Sequence, residues 1–367
     1  MRIKTKIPKK EFGNSGVEIS KLCFGGGSFA GIDSEPLLDE ALAHGVDCWE
    51  LVSFTGKAYS DYFKKHPDVR EKIFLSGKVY STDPAVMQAQ LDKLLDDHGT
   101  SCVDFLAIHT VDNIEVLTDD VRRWVDSARK RKKIRFFGFC THKNMDKCLR
   151  GGAGLGWIDG IQTVYNFRMQ HITSMEEALQ ECHESGIGIF AIKSMGLTVH
   201  RKAELRNLPL NGGKLNSLSA TYELSFEQAK MKSIWQNGNL TSICSLMPDL
   251  SVLRSNIAAA MDEQPPNPEV KKLLADYMNG TGTYYCRRCG LCETANSDGI
   301  PIFEIMEMLM YARGYMLKEM MVKKFETIPI EIRNKINSSD YSSAEKICPQ
   351  MMPIARLMKE AYLEFTV

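Results

Sequence analysis

No apolar run in this 367-residue chain reaches the ~18 residues that a membrane-spanning helix needs. Neither sign of charge is in excess, with 46 Lys plus Arg against 46 Asp plus Glu, so composition gives no reason to expect a nucleic acid or an anionic membrane as partner. The basic N-terminal segment MRIKTKIPKKEFG also lacks the apolar stretch of a secretory signal peptide. We therefore expect a cytoplasmic protein without a nucleic-acid or membrane partner.

A disulfide framework is absent as well. The chain has 11 cysteines, an odd number, and seven of them are scattered through strand-like segments. That distribution is not typical of a secreted, disulfide-stapled protein. We interpret the seven as small buried hydrophobic residues: Cys23, Cys48, Cys102, Cys140, Cys148, Cys182 and Cys244.

Strand and helix patterns alternate eight times after a hairpin-like start at the turn GNSG, residues 13–16. The strand candidates are short apolar runs, as strands buried on both faces are, and they begin at residues 19, 47, 72, 103, 134, 160, 186 and 240. Eight such units predict an α/β fold, the (β/α)8 TIM barrel. The alternative is a doubly wound open sheet, which needs a phosphate-binding G-x-G-x-x-G turn, and GGGSFAG at 25–31 lacks that spacing.

The pattern breaks at QPPNP, residues 264–268, and the rest of the chain reads as helices. This predicts two domains, a barrel over residues 1–265 and a small, mainly helical domain over residues 266–367. A long connection at residues 195–217 is a candidate lid or substrate loop, although an insertion without function fits its length equally well.

Three cysteines in the helical part are evenly spaced, at Cys286, Cys289 and Cys292. Bacterial ferredoxins follow this triplet with a fourth cysteine and a proline, and that fourth cysteine binds the other cluster of a pair. Here Asn296 stands at the fourth position, but a constant offset of 52 residues aligns it with Cys348, which a proline follows.

Under the same pairing rule the chain has one complete ligand set, and the residues of the other set are Ser338, Tyr341, Ala344 and Asn296, none of them a thiolate. We therefore predict a ferredoxin-like domain that holds one [4Fe-4S] cluster. A four-cysteine zinc site and four free thiols remain the alternatives.

The predicted strands carry a further pattern at their C-terminal ends. Their order and placement resemble the aldo/keto reductases over residues 1–262, and with the cysteine-bearing tail the chain resembles the iron–sulfur subgroup of that family. The pieces that carry the resemblance are FGNSGVEISKLCFGGGSF, LSGKV, DFLAIHT, GIQTVYN, GIFAIKSMG and LRSNIAAA. The resemblance implies an oxidoreductase that reduces the carbonyl group of a small-molecule substrate with NAD(P)H.

The family's catalytic residues are an acid, a tyrosine, a lysine and a histidine. The resemblance places Lys78 and His109 at the lysine and histidine positions, Glu50 at the acid position and Thr55 at the tyrosine position. Because threonine is a far weaker acid than tyrosine, we expect ordinary carbonyl reduction to be weak, with His109 as proton donor at its ordinary pKa of about 6.5. Tyr59 is an alternative donor, but a packing role suits it better.

The resemblance also implies dinucleotide contacts. Gln162 matches the glutamine that binds the carboxamide, and Asn256 matches the asparagine that holds the adenine. The positions at which the family binds the 2′-phosphate carry Leu246, Met247 and Val252, so NADPH is not favoured over NADH.

Two functions follow from these residues. The first is an oxidoreductase with an altered barrel site, an accessory cluster and an electron-transfer partner. The second is a catalytically degenerate nucleotide-binding or redox-sensing module.

Overall fold

The computed structural model describes residues 6–25, 33–52, 55–196, 224–282, 285–296, 298–314 and 317–366. The chain divides into two compact units. One comprises the residues up to 194 together with 227–266, and the other contains the residues from 267 onward. Most of the candidate loop at 195–217 lies outside the described residues.

The first unit is a barrel preceded by a hairpin. The hairpin pairs β1 (Lys9–Glu11) with β2 (Glu18–Ser20) in antiparallel register. Eight parallel strands then close on themselves in the order β10-β3-β4-β5-β6-β7-β8-β9. They are β3 (Leu22–Gly25), β4 (Cys48–Glu50), β5 (Phe74–Val79), β6 (Val103–Ile108), β7 (Ile134–Thr141), β8 (Gly160–Val164), β9 (Gly188–Ile192) and β10 (Ser242–Leu246). The predicted (β/α)8 barrel is confirmed, and the open doubly wound sheet is excluded because the sheet closes.

Helices follow the strands and cover the barrel. They are α1 (Glu35–Ala43), α2 (Gly56–Lys65), α3 (Pro84–His98), α4 (Asp119–Lys130), α5 (Met145–Leu155), α6 (Thr173–Glu184), α7 (Phe226–Ile234) and α8 (Leu250–Met261). Their amphipathic spacing explains why they pack. In α4 the buried residues are Val121, Trp124, Val125 and Ala128, which share one face of a 3.6-residue period. The side chain of Asp83 caps α3 by accepting hydrogen bonds from two backbone amides of its first turn.

An aromatic plug fills the barrel at its N-terminal end. The ring of Phe12, in the hairpin turn, is buried against four other phenylalanine rings at centroid distances of 5.1–5.6 Å. Space for it comes from glycines aligned across three neighbouring strands, Gly138, Gly160 and Gly188. A Cβ atom added to Gly160 or Gly188 would stand 2.4 or 2.3 Å from the Phe12 ring. The hairpin is thus part of the barrel core.

The second unit is helical in the part of the chain that the structure describes. Its helices are α9 (Pro268–Thr281), α10 (Leu291–Thr294), α11 (Ile302–Gly314), α12 (Lys318–Glu326), α13 (Ile330–Arg333), α14 (Ser342–Ile347) and α15 (Ile354–Thr366). The methionine-rich helix α11 contributes buried residues such as Met308 to a common core, which also contains Phe325 and Met358 of α15. Across the described residues, no helix combines the length and apolarity needed to cross a bilayer.

The fit of Phe12 against the glycines gives a first prediction. Gly188→Ala places a methyl carbon 2.3 Å from the Phe12 ring, and such overpacking costs about 1–3 kcal/mol of stability. We therefore expect a lower urea midpoint of unfolding. Tryptophan fluorescence reports on this transition, because all four tryptophans lie in the barrel unit. The matched control is Gly154→Ala on α5, where nothing lies within 4 Å and a helical alanine adds about 0.5–1 kcal/mol. Equal midpoints for the two variants would contradict the plug.

Candidate active site and cysteine pocket

A buried ion pair lies at the C-terminal end of the barrel. Glu50 ends β4 and is aligned with Ser76 of β5, so Lys78 lies two residues further along on the same face. The Lys78 ammonium contacts Oε1 of Glu50, and their side chains are only 10% and 9% exposed. Burial alone lowers the pKa of Lys78, but the Glu50 carboxylate outweighs that effect and the pKa is raised. The ion pair predicted from the sequence is confirmed.

One thiol of an aligned row contacts the other carboxylate oxygen of Glu50. Cys244 donates to Oε2 of Glu50 at 3.5 Å, and it is aligned in register with Cys23, which is aligned with Cys48. Burial raises the pKa of Cys23 and of Cys48, so these thiols stay protonated. Six of the seven scattered cysteines are buried, as predicted, and Cys102 is half-buried. The contact between Cys244 and Glu50 was not predicted from the sequence. The available signal was that Cys48, two residues before Glu50, lies on the same face of β4.

His109 lies beside the ion pair. It directly follows β6, and its backbone amide donates to the carbonyl oxygen of Val79 at 2.7 Å, next to Lys78. The His109 ring contacts Tyr80 and His142 at centroid distances of 4.9 and 5.4 Å. Burial, and then the charge of Lys78, lowers the pKa of His109 to about 4. The expectation of an ordinary pKa near 6.5 is therefore wrong. At neutral pH the His109 ring is uncharged and has a single N–H to donate.

The Thr55 hydroxyl is used by local structure. Thr55 precedes helix α2 and is fully buried, and its Oγ1 lies 2.8 Å from the carbonyl oxygen of Val52 and 2.9 Å from Nε2 of His98. Nδ1 of His98 in turn lies 2.8 Å from the carbonyl oxygen of Leu94. The hydroxyl thus ties the turn before α2 to the end of α3. None of these partners belongs to the predicted catalytic set.

Tyr59 is a core residue. It is fully buried one helical turn after Thr55, and its ring packs on Trp49 with centroids 5.2 Å apart. Burial raises the pKa of Tyr59 well above its usual value, so the hydroxyl is a poor acid. The interpretation of Tyr59 as a packing residue is confirmed.

The two predicted dinucleotide residues lie on different elements. Gln162 of β8 is fully buried, and its Nε2 donates to Oγ of Ser76 at 3.1 Å, which brings it next to the Glu50–Lys78 pair. Its Oε1 is buried without a hydrogen-bond partner among the described residues. Asn256 of α8 donates to Oγ of Ser245 in β10 at 3.1 Å. The structure therefore gathers Glu50, Lys78, His109 and Gln162 at one end of the barrel.

A comparison of the sequence with protein-family models agrees with this closed barrel and the polar residues at its strand ends. The model of the Aldo/keto reductase family matches residues 21–246, which is more than half of the chain. The chain belongs to the aldo/keto reductase family. Membership suggests an oxidoreductase. A search of the curated proteins gives no match.

The helical unit, beyond the part that matches the aldo/keto reductase family, brings the four remaining cysteines together. Cys286, Cys289, Cys292 and Cys348 line a single pocket. The side chain of Gln350 fastens the segment after Cys348 to the triplet loop, since it accepts from the backbone amide of Arg287 at 2.9 Å and donates to the carbonyl oxygen of Tyr285 at 3.1 Å. Within the described ranges, however, no group of three or more His, Cys, Asp or Glu side chains has the geometry to hold a metal ion.

Two of the four positions in the second set of the predicted repeat, Tyr341 and Ala344, lie in ordinary core. Tyr341 is buried and its hydroxyl donates to the carbonyl oxygen of Ile336 at 2.8 Å, while Ala344 is buried in the same apolar cluster. Ser338 is exposed. Apolar packing thus occupies the half of the repeat that has no cysteines.

The buried pair gives a second prediction. Glu50→Gln leaves the Lys78 ammonium buried without a counter-charge, so we expect a loss of about 3–5 kcal/mol in the free energy of unfolding measured in urea. The control is Asp61→Asn, which breaks an exposed pair with Lys57 and costs less than about 1 kcal/mol.

The double variant Glu50→Gln/Lys78→Met removes both charges and recovers part of the loss. A neutral effect of Glu50→Gln alone would show that the pair is not buried in solution.

Proposed function

We propose that this aldo/keto reductase is an NAD(P)H-dependent oxidoreductase of small molecules that carries one [4Fe-4S] cluster in a ferredoxin-like domain over residues 266–367. The observation that carries the proposal is the single pocket lined by Cys286, Cys289, Cys292 and Cys348, which come from two segments far apart in sequence.

The cysteines fit a cluster by number, spacing and placement. The triplet spacing is that of a cluster-binding loop, and the fourth thiol comes from a distant segment as the ferredoxin repeat requires. A cubane attaches each thiolate to a different iron, so its four sulfur atoms lie farther apart than the thiolates around one zinc ion. Four thiols that line one pocket match the number of ligands that a cubane needs. The zinc site remains the alternative that metal analysis tests.

A cluster supplies one-electron transfer, whereas a nicotinamide supplies a hydride, which carries two electrons. We infer that an electron-transfer partner exchanges single electrons with the cluster. The barrel contributes the binding residues for the dinucleotide. The Oε1 of Gln162, which has no hydrogen-bond partner within the described residues, is a ready acceptor for the amide of a nicotinamide, and Asn256 is the proposed adenine contact. Neither Leu246 nor Met247 offers a positive charge for a 2′-phosphate, so we propose no preference for NADPH.

Ordinary carbonyl reduction needs a proton for the oxygen as hydride arrives, and a positioned acid contributes roughly 10²–10⁴-fold in rate. We propose that Thr55 occupies the position of the family's tyrosine and cannot serve, because its hydroxyl is committed to Val52 and His98. The hydroxyl of Tyr59 has a raised pKa, and His109 is neutral. The altered site therefore reduces simple aldehydes and ketones slowly.

The second candidate function is a nucleotide-binding or redox-sensing module without turnover. The lack of a proton donor favours it. The Glu50–Lys78 pair argues for an active site, because withdrawing two charges from water is unfavourable unless the pair serves a purpose other than stability. Turnover assays beside nucleotide binding separate the two functions.

The cluster is tested first. Protein prepared without oxygen is expected to contain about four irons per chain and to absorb broadly near ~400 nm. Cys348→Ala removes the iron and the absorbance, whereas Cys102→Ala, in the barrel unit and half-buried, retains both. Stoichiometric zinc without iron, or full iron in the Cys348→Ala protein, would contradict the proposal.

The barrel chemistry is tested by an anaerobic steady-state assay with an aldehyde and NADH or NADPH. We expect slow reduction whose rate is flat from pH 6 to 8, because a His109 with a pKa of about 4 stays neutral over that range. An imidazolium donor of ordinary pKa would instead lose rate as the pH rises through about 6.5.

The neutral His109 ring still offers an N–H to the substrate oxygen, so His109→Ala lowers the residual rate by about 10²–10³-fold, as for other donors to a developing oxyanion. His171→Ala, at an exposed position, is the control. Fast reduction that survives His109→Ala would show that another residue is the proton donor.

A further inference from the structure

An arginine is buried beside the cysteine pocket. Arg288 lies between Cys286 and Cys289 in sequence and is only 2% exposed. A charged residue is almost never buried to this extent unless it is paired. Its backbone has a φ of 60°, in the left-handed region that a non-glycine residue adopts at a cost. The turn therefore holds a large cationic side chain where a glycine would be the easier choice.

Two contacts from helix α11 fix the guanidinium. Nη1 of Arg288 lies 3.0 Å from Oε1 of Glu307, and the guanidinium carbon lies 5.6 Å from the centre of the Tyr311 ring. Glu307 and Tyr311 are four residues apart and so face the same side of the helix. Met306, the neighbour of Glu307, lines the cysteine pocket. Helix α11 therefore carries both a residue of the pocket lining and the counter-charge of Arg288.

The same arginine also contacts a cysteine through its backbone. The amide N–H of Arg288 donates to Sγ of Cys286 at 3.4 Å. The left-handed turn at Arg288 therefore combines an N–H directed at the sulfur of Cys286 with a buried guanidinium that is paired with Glu307.

A second cation contacts the same carboxylate. Lys324 is paired with Glu307 at 3.4 Å. Lys324 is 44% exposed and is screened by water, whereas the Arg288 side chain is 2% exposed and is screened far less. Reduction of a cluster adds negative charge, and the potential of a cluster depends on nearby charge, hydrogen bonds to its sulfur atoms and solvent exposure.

We propose that Arg288 and Glu307 set the reduction potential of the cluster, with the guanidinium raising the potential and the carboxylate limiting that rise. The inference rests on the proposed cluster. It assigns to Arg288 a tuning role, distinct from ligation, which the four cysteines supply.

The test is a potentiometric titration of the whole protein, followed by visible absorbance and electron paramagnetic resonance, after the iron content of each variant has been measured. Arg288→Gln shifts the potential downward and Glu307→Gln shifts it upward. The double variant lies between the two, and Arg288→Lys, which keeps the charge, stays nearer the wild type than Arg288→Gln. The control is Arg333→Gln, whose guanidinium also stacks on an aromatic ring, that of Phe325 at 6.0 Å, but which lies outside the loop of the cysteine triplet.

The outcomes separate the two proposals. A wild-type protein without iron overturns the proposed cluster. A wild-type protein with iron whose potential is unchanged by both single variants, or changed as much by Arg333→Gln, overturns the role of Arg288 and Glu307. If Arg288→Gln loses its iron, the upward shift of Glu307→Gln decides, and its absence counts against the inference.

Discussion

A charge withdrawn from water requires an opposite charge within reach, and this requirement shapes the interior of both units. In the barrel, Lys78 and Glu50 pair at the ends of two neighbouring strands, and burial, followed by the charge of the Lys78 ammonium, lowers the pKa of the adjacent His109. In the helical unit, the buried Arg288 is paired with Glu307. Because removing Glu50 or Lys78 leaves the other charge buried, the barrel pair fixes the positions of the strand ends that carry it.

The barrel could be predicted because its strands are buried on both faces. Such strands are short apolar runs, and all eight lie where those runs occur. The Glu50–Lys78 contact could also be predicted, since residues at the C-terminal ends of neighbouring parallel strands converge. The pKa of His109 was not accessible, because it depends on how deeply the ring is buried and how close the ammonium lies. The plug formed by Phe12 was missed as well, although glycines in three consecutive strands were a signal that the core there needed room.

The helical unit shows a different limit. Spacing within a repeat predicted that Cys348 would join a triplet more than fifty residues away, and the four thiols do line one pocket. The residues between the cysteines were less readable. Adjacent arginines are typical of an exposed loop, and only the left-handed backbone at Arg288 and the position of Glu307 on α11 show that one of them is buried. Tyr341 and Ala344 illustrate the reverse case, in which positions without ligands become core because apolar side chains fill the space.

The closure of the barrel has a consequence for how the protein is made. Strand β3 completes its hydrogen bonds only with β10, whose residues emerge from the ribosome more than two hundred residues later. Until then one edge of every growing intermediate is an unpaired strand, open to association with another chain. Folding is therefore expected to be slow and set by this distant pairing rather than by any local element. The nascent chain is accordingly most prone to aggregation after the first seven barrel strands have been synthesised and before the eighth has paired with them.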